Sequence, residues 1–165
     1  MSAFPSAWRF AAFPLVLLVA APASAQLLQR KDLSYPMALT IATGALEDCK
    51  AKGYAVSVVV VDRGGDVMVA LRANDAGPHT MENARRKAYT ARTFGRTSLE
   101  WAQRTETQVQ GQRQLAEVIP LQGGVPIKVG ETTIGGVGLS GAPNGGPQEE
   151  ACGKAGVAKV ADQLK

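Results

Sequence analysis

Histidine occurs once in this chain of 165 residues, at His79. Thr80 follows it and can cap a helix that begins at Met81, so the imidazole lies near a helix start, where unpaired N–H groups and the helix dipole favour anions. His79 could ligate a metal-bearing cofactor or hold a carboxylate, and the alternative is a surface histidine in a polar loop. A single histidine without a Cys-x-x-Cys pair argues against a closed structural zinc site.

The helix predicted for residues 81–94 has two distinct faces. Its apolar stripe is narrow and rich in alanine, comprising Met81, Ala84, Ala88 and Ala91. Its other face is basic, comprising Arg85, Arg86, Lys87, Arg92 and Arg96. A basic face is usually only solvated, but beside His79 it could contact a propionate or a small carboxylate. No Ser-His-Asp set stands out as a hydrolytic site.

A glycine motif near the C-terminus, Gly136-x-Gly138-x-x-Gly141, matches the dinucleotide fingerprint by its letters. That fingerprint must leave a first parallel strand and open a helix, whereas this motif lies inside a predicted hairpin strand. We therefore reject nucleotide binding. Glycines at 135, 136 and 138 have no side chains, so another backbone, a helix or a flat ligand can approach the sheet closely at these positions.

The elements that position these residues alternate between helices and hairpins. Hydrophobic spacing and turn residues predict a first helix that is capped by Ser34 and ended by Gly53, and further helices over 81–94, 98–109 and 148–164. They predict strands over 55–61, 67–72, 118–121, 127–129 and 132–139. Adjacent hairpins without crossover helices imply an antiparallel sheet. The sequence therefore predicts an α+β domain with about five strands and helices packed mainly on one face. The apolar strand 55–61 is expected to be covered on both sides, or to line a pocket on one side.

The first 25 residues have the pattern of an export signal. Arg9 precedes an apolar run over 10–21, and Ala23-Ser24-Ala25 supplies small residues for cleavage near Ala25. Pro14 and Pro22 interrupt the run, which is shorter than the roughly 20 apolar residues of a spanning helix. We expect a periplasmic or secreted protein without stable membrane insertion, with a tether over 26–32 and one domain over 33–165.

Export would affect whether the cysteines are oxidised and which partners the chain meets. Cys49 and Cys152 are the two cysteines, and outside the cytoplasm they could form a disulfide or remain small buried apolar residues. The net charge is +4, but the basic residues are scattered apart from the one helix. Nucleic acid is therefore not an expected partner.

Several segments with distinctive composition are spaced along the chain: VVDRGGD at 60–66, ARRKAYTA at 84–91, GGVPI at 123–127, GGVGLSG at 135–141 and EEACGKAG at 149–156. Together and in this order they resemble the GlcG/HbpS family of haem-binding proteins. The resemblance implies a profilin-like fold, self-association and, for some members, haem binding with slow haem breakdown or redox sensing. Other members accompany operons for small organic acids or form part of corrinoid enzymes.

The resemblance also implies that the predicted helix over 81–94 lies beside the ligand. It implies a cofactor-binding set of His79, Thr80, Arg85, Arg86 and Lys87, with His79 as candidate haem iron ligand. Our leading hypothesis is an exported haem-binding protein in which His79 or Thr80 approaches the iron, Arg85 or Arg86 pairs with propionates, and the alanine stripe and glycine strand form a flat apolar wall. The rival hypothesis is an oligomeric accessory protein that holds a small carboxylate or docks on a partner enzyme or sensor.

Overall fold

The computed structural model describes residues 26–165, and the predicted signal peptide lies outside them. The helices are α1 (Tyr35–Ala51), α2 (Thr80–Phe94), α3 (Ser98–Thr107) and α4 (Gly146–Ala158), with short 3-10 turns at Gln110–Gln114 and Ala161–Gln163. The strands are β1 (Ser57–Val61), β2 (Val67–Arg72), β3 (Gly124–Val129) and β4 (Thr132–Ser140). No helix in this part of the chain is long and apolar enough to cross a membrane.

The strands form one antiparallel sheet in the order β2-β1-β4-β3, which confirms the predicted α+β class. The sheet has four strands in the described residues rather than about five, because the segment predicted as a strand at 118–121 does not join it. Instead the backbone there bonds to α2 side chains: Val118 O accepts from Arg86 and Ile119 N donates to Thr90 Oγ1.

Helices cover both faces of the sheet, whereas the sequence predicted helices mainly on one face. Val58 and Val60 of β1 belong to the core beneath α1 and α4, and the alternate residues Val59 and Val61 pack against α2. Successive strand residues point to opposite faces, so a strand buried at every position needs cover on each side. The prediction that this strand is covered on both sides is therefore confirmed.

The glycines of β4 receive the backbone of α2. A Cβ on Gly138 would lie 2.1 Å from Ala84 O and 2.4 Å from Ala88 N, and one on Gly136 would lie 2.4 Å from Ala88 O. The sequence left open whether another backbone, a helix or a flat ligand approaches these glycines, and the structure places a helix there. The predicted flat apolar wall for haem is therefore wrong, because the alanine stripe and the glycine strand are packed against each other and Ala84 and Ala88 are fully buried.

A disulfide joins the two helices on the opposite face. Cys49 of α1 and Cys152 of α4 are bridged, with their Cα atoms 5.5 Å apart, and both residues are fully buried. The sequence left open whether these cysteines form a disulfide or remain buried thiols, and the structure has the disulfide. Near the start of the described chain, Arg63 bonds to Asp32 and to the carbonyl of Lys31, so the end of the predicted tether contacts the domain.

Candidate functional site

A cavity of about 440 Å³ lies where α2 and α4 both begin. His79 stands directly before α2, is exposed, and makes no hydrogen bond from its side chain to cap the helix. Gly145 precedes α4 and likewise provides no side-chain cap. The remaining lining comes from these two helices and from the segments at the end of β4 and before β3, including Asn83, Lys87, Leu121, Gln122, Ser140, Ala142 and Glu149.

Thr80 fixes the start of α2 against the sheet. It is buried, and its Oγ1 bonds to Gly77 O at 2.6 Å and to the hydroxyl of Ser57 on β1 at 2.8 Å. Thr80 is therefore the first residue of α2 and not its cap as predicted, because the cap position falls to His79 and the Thr80 hydroxyl bonds outside the helix. Because Thr80 is held in this way, it positions the neighbouring imidazole at the mouth of the cavity.

A buried ion pair closes one side of the cavity. Lys87 Nζ lies 2.5 Å from Glu149 Oε2 and also donates to Leu139 O at 3.0 Å, and the two side chains are 5% and 3% exposed. The other oxygen, Glu149 Oε1, accepts from Gly141 N at 2.8 Å and from Ala142 N at 3.3 Å. The charge of Lys87 is thus compensated within the protein, and the pair ties α2 and α4 to the end of β4.

Sequence reasoning missed the role of Glu149. Two acidic residues in the first turn of a helix predict favourable contact with its N-terminus, but Glu149 points at Lys87, while Glu150 pairs with Lys154 at 2.7 Å. The buried residues of α4 include Glu149, Cys152, Gly153 and Gly156, which share one helical face. That spacing was the available signal, since a carboxylate on a buried face needs a cationic partner.

Arg85 and Arg86 do not line the cavity. Arg85 pairs with Glu82 at 2.8 Å and with Glu117, and Arg86 donates to Val118 O. The hydrogen bond from Arg85 lowers the pKa of the Glu82 carboxyl, and the bonds to Glu82 and then Glu117 raise the pKa of the guanidinium. Of the candidate residues, the structure therefore gathers His79, Thr80 and Lys87 at the cavity, and it uses the two arginines to hold the segment before β3 against α2.

The family model described as haem degrading protein HbpS-like matches residues 33–158, nearly all of the described chain. The chain belongs to the HbpS-like family. Protein GlcG of Escherichia coli strain K12 is 32% identical over 112 residues, which cover 66% of this chain and 81% of GlcG. These two matches confirm the resemblance identified from the spaced motifs.

Solved structures agree with the family in fold. A crystal structure of a double mutant of Streptomyces reticuli HbpS is 35% identical, with a TM-score of 0.77, and the match covers 85% of this chain and 97% of that one. A complex of PduOC with haem is 24% identical, with a TM-score of 0.70 and coverage of 79% and 96%, and at that identity it shows the fold alone.

Proposed function

We propose that this protein binds haem outside the cytoplasm, at the cavity where α2 and α4 begin. The observation that carries the proposal is the position of His79, the only histidine of the chain, exposed at the mouth of that cavity. The family description and the HbpS relatives support haem as the ligand. Imidazole nitrogen is a common axial ligand of haem iron.

The cavity lining fits a haem in part. Its volume of about 440 Å³ lies in the range of ordinary ligand pockets. His79 would ligate the iron, Leu121 and Ala142 would supply apolar contact, and Asn83 with the starts of the two helices would receive propionates. Bound haem would supply iron-centred redox chemistry, and the protein residues would hold the group and limit the access of water.

Export remains part of the proposal. The predicted signal peptide over residues 1–25 motivates it, and the buried disulfide supports it, because structural disulfides persist in oxidising compartments. In this reading the protein captures or senses haem after secretion or in a periplasm. Any haem breakdown or redox signalling would follow from binding at the same cavity.

Haem titration tests the proposal directly. Protein that begins at Gln26 is mixed with haemin, and the visible spectrum is recorded; we expect a shifted Soret band with saturable binding. His79→Ala is expected to change the band position and to weaken binding at least about tenfold, because the iron loses its nitrogen ligand. Absence of a Soret shift in the wild type would refute haem binding.

Arg85→Ala is the matched control. Arg85 lies on the same helix but is engaged with Glu82 and Glu117, so its removal is expected to leave the Soret band unchanged. A variant of His79 with the wild-type spectrum would refute the ligand assignment and leave haem binding intact. A lost Soret shift in Arg85→Ala would instead support the propionate contact predicted from the sequence.

A small carboxylate is the second candidate ligand. The specific observation is that two helix starts without side-chain caps meet at the cavity, and their N–H groups favour an anion. Thermal stabilisation of the haem-free protein by one member of a panel of organic acids, together with no haem response, would decide for this function. An accessory role beside a partner enzyme or sensor would then become the leading proposal.

A further inference from the structure

A second cavity, of about 480 Å³, lies between the end of α1 and the end of β2. We call it the α1–β2 pocket. Its lining comes from the last turns of α1, from the residues that follow this helix, and from the end of β2 with the loop after it, and it includes Leu46, Lys50, Tyr54, Arg72, Ala73 and Asp75. It shares no lining residue with the cavity beside His79. A ligand here would therefore make a separate set of contacts from those proposed for haem.

Part of the wall of this pocket is apolar. Leu46 and Tyr54 pack against the main hydrophobic core but are only half-buried, and Ala73 is half-buried as well. Small-molecule sites are lined mainly by such apolar and aromatic side chains, and a tyrosine ring offers a flat face for stacking. The wall therefore favours a ligand with a flat apolar body.

The charged side chains of the pocket carry an excess of one positive charge. Lys50 and Arg72 are exposed cations, and Asp75 is an exposed carboxylate on the loop after β2. The C-terminal end of α1 would oppose an anion through the helix dipole, but the backbone N–H groups that follow the helix bond to its last carbonyls and reduce this effect. The pocket therefore favours a ligand with a single negative charge.

Arg72 and Tyr54 are held in place, and each keeps one free donor. Arg72 Nε and Nη2 donate to Ala76 O, at 3.2 Å and 2.6 Å, and within residues 26–165 its Nη1 group has no partner. The Tyr54 oxygen accepts from Gln148 Nε2 at 2.7 Å, while its own proton has no acceptor in the same part of the chain. Carboxylates accept hydrogen bonds from such N–H and O–H groups. Because other bonds already order both side chains, less conformational entropy is lost when a ligand binds.

We propose that the α1–β2 pocket binds a small aromatic carboxylate. The aromatic ring lies against Leu46 and Tyr54, the carboxylate binds to Arg72 and Lys50, and the Tyr54 hydroxyl donates a further hydrogen bond. Asp75 repels a second carboxylate on the ligand, which restricts the site to monoacids. This site is independent of haem binding beside His79.

Naphthoate is the probe, and amide NMR spectra of nitrogen-labelled protein that begins at Gln26 report where it binds. We expect saturable shifts of the amide signals in segments 46–55 and 72–75, and little change in the signals around His79. Naphthamide has the same ring without the charge, and acetate has the charge without the ring. Each is expected to bind at least about tenfold more weakly than naphthoate.

Variants of the lining test the assigned contacts. Arg72→Gln removes a cation and Tyr54→Phe removes the hydroxyl but keeps the ring, and each should weaken naphthoate binding about threefold or more, with the fold checked by thermal melting. Asp75→Asn removes the repulsion and should strengthen binding about threefold. The matched control is Lys52→Gln, because Lys52 also lies at the end of α1 but pairs with Asp48 and does not line the pocket. Its dissociation constant should equal that of the wild type.

Three results would overturn the proposal. They are the absence of saturable shifts, shifts confined to the signals around His79, and folded Arg72→Gln and Tyr54→Phe variants that bind naphthoate as the wild type does. Haem titration of the same protein is a separate measurement. A Soret shift without naphthoate binding would refute the α1–β2 pocket alone, and naphthoate binding without a Soret shift would refute haem binding alone.

Discussion

At the scale of single residues, the site depends on a charge pair that the protein removes from water. Lys87 and Glu149 are both buried, and their polar atoms are used within the protein. Among the described residues, no buried side-chain nitrogen or oxygen lacks a hydrogen-bond partner. Such a pair contributes little net stability when intact, but one member left alone is a buried charge without compensation.

Lys87→Met is therefore expected to lower the free energy of unfolding by about 3–5 kcal/mol, measured by urea denaturation. The matched control is Lys154→Met, which removes a lysine from the pair with Glu150 on the same helix. Lys154 is 60% exposed, so we expect a loss below about 1 kcal/mol. Equal losses in the two variants would mean that burial does not govern the strength of the Lys87 pair.

At the scale of elements, the site is positioned by the close contact of α2 with β4. Glycine is required at Gly138 because the helix backbone occupies the space of a side chain. Gly124 of β3 meets α2 in the same way, since a Cβ there would lie 2.2 Å from Lys87 O. These contacts fix the distance between α2 and the sheet, and they thereby fix the positions of His79 and Lys87 at the cavity.

Gly138→Ala is expected to destabilise the protein by about 3 kcal/mol, because the added methyl meets helix backbone that cannot move alone. Displacement of α2 should also reduce haem affinity if the ligand binds beside His79. Gly111→Ala provides the control: no atom outside its immediate neighbours lies within 4 Å of the added Cβ, so its melting temperature should stay within a few degrees of the wild type. Similar melting temperatures for both variants would contradict the close packing of α2.

At the scale of the whole molecule, a covalent bridge holds together the helix layer on the side of the sheet opposite α2. α1 and α4 pack against each other, and the Cys49–Cys152 disulfide joins them across a sequence separation of 103 residues. Closing so long a loop restricts the unfolded chain strongly. The bridge therefore stabilises the layer from which α4 sends Glu149 into the site.

Reduction of the disulfide is expected to lower the free energy of unfolding by about 3–4 kcal/mol, measured by urea denaturation with and without reductant. The double variant Cys49→Ala/Cys152→Ala should lose a comparable amount and should not respond to reductant, since the chain has two cysteines. A wild-type protein whose stability is unaffected by reductant would refute a stabilising bridge.

The sequence predicted much of the fold and part of the site. The order of helices and hairpins, the antiparallel sheet and the start of α2, predicted one residue later than it is found, follow from local spacing and turn residues, which act over a few positions. The segment at 118–121 was predicted as a strand because its apolar pattern is local, whereas its actual partners, Arg86 and Thr90, come from a helix about 30 residues away.

What the sequence determined by itself was the family, the element order and the single histidine at a helix start. Tertiary structure decided which charges face the cavity, that helices cover both sheet faces, and that the glycine strand receives a helix in place of a flat ligand. Those outcomes depend on contacts between residues far apart in the chain, such as Lys87 with Glu149. Residue type alone does not specify these contacts, because the partner of a buried charge, or of a glycine-rich strand, depends on which element packs against it in the fold.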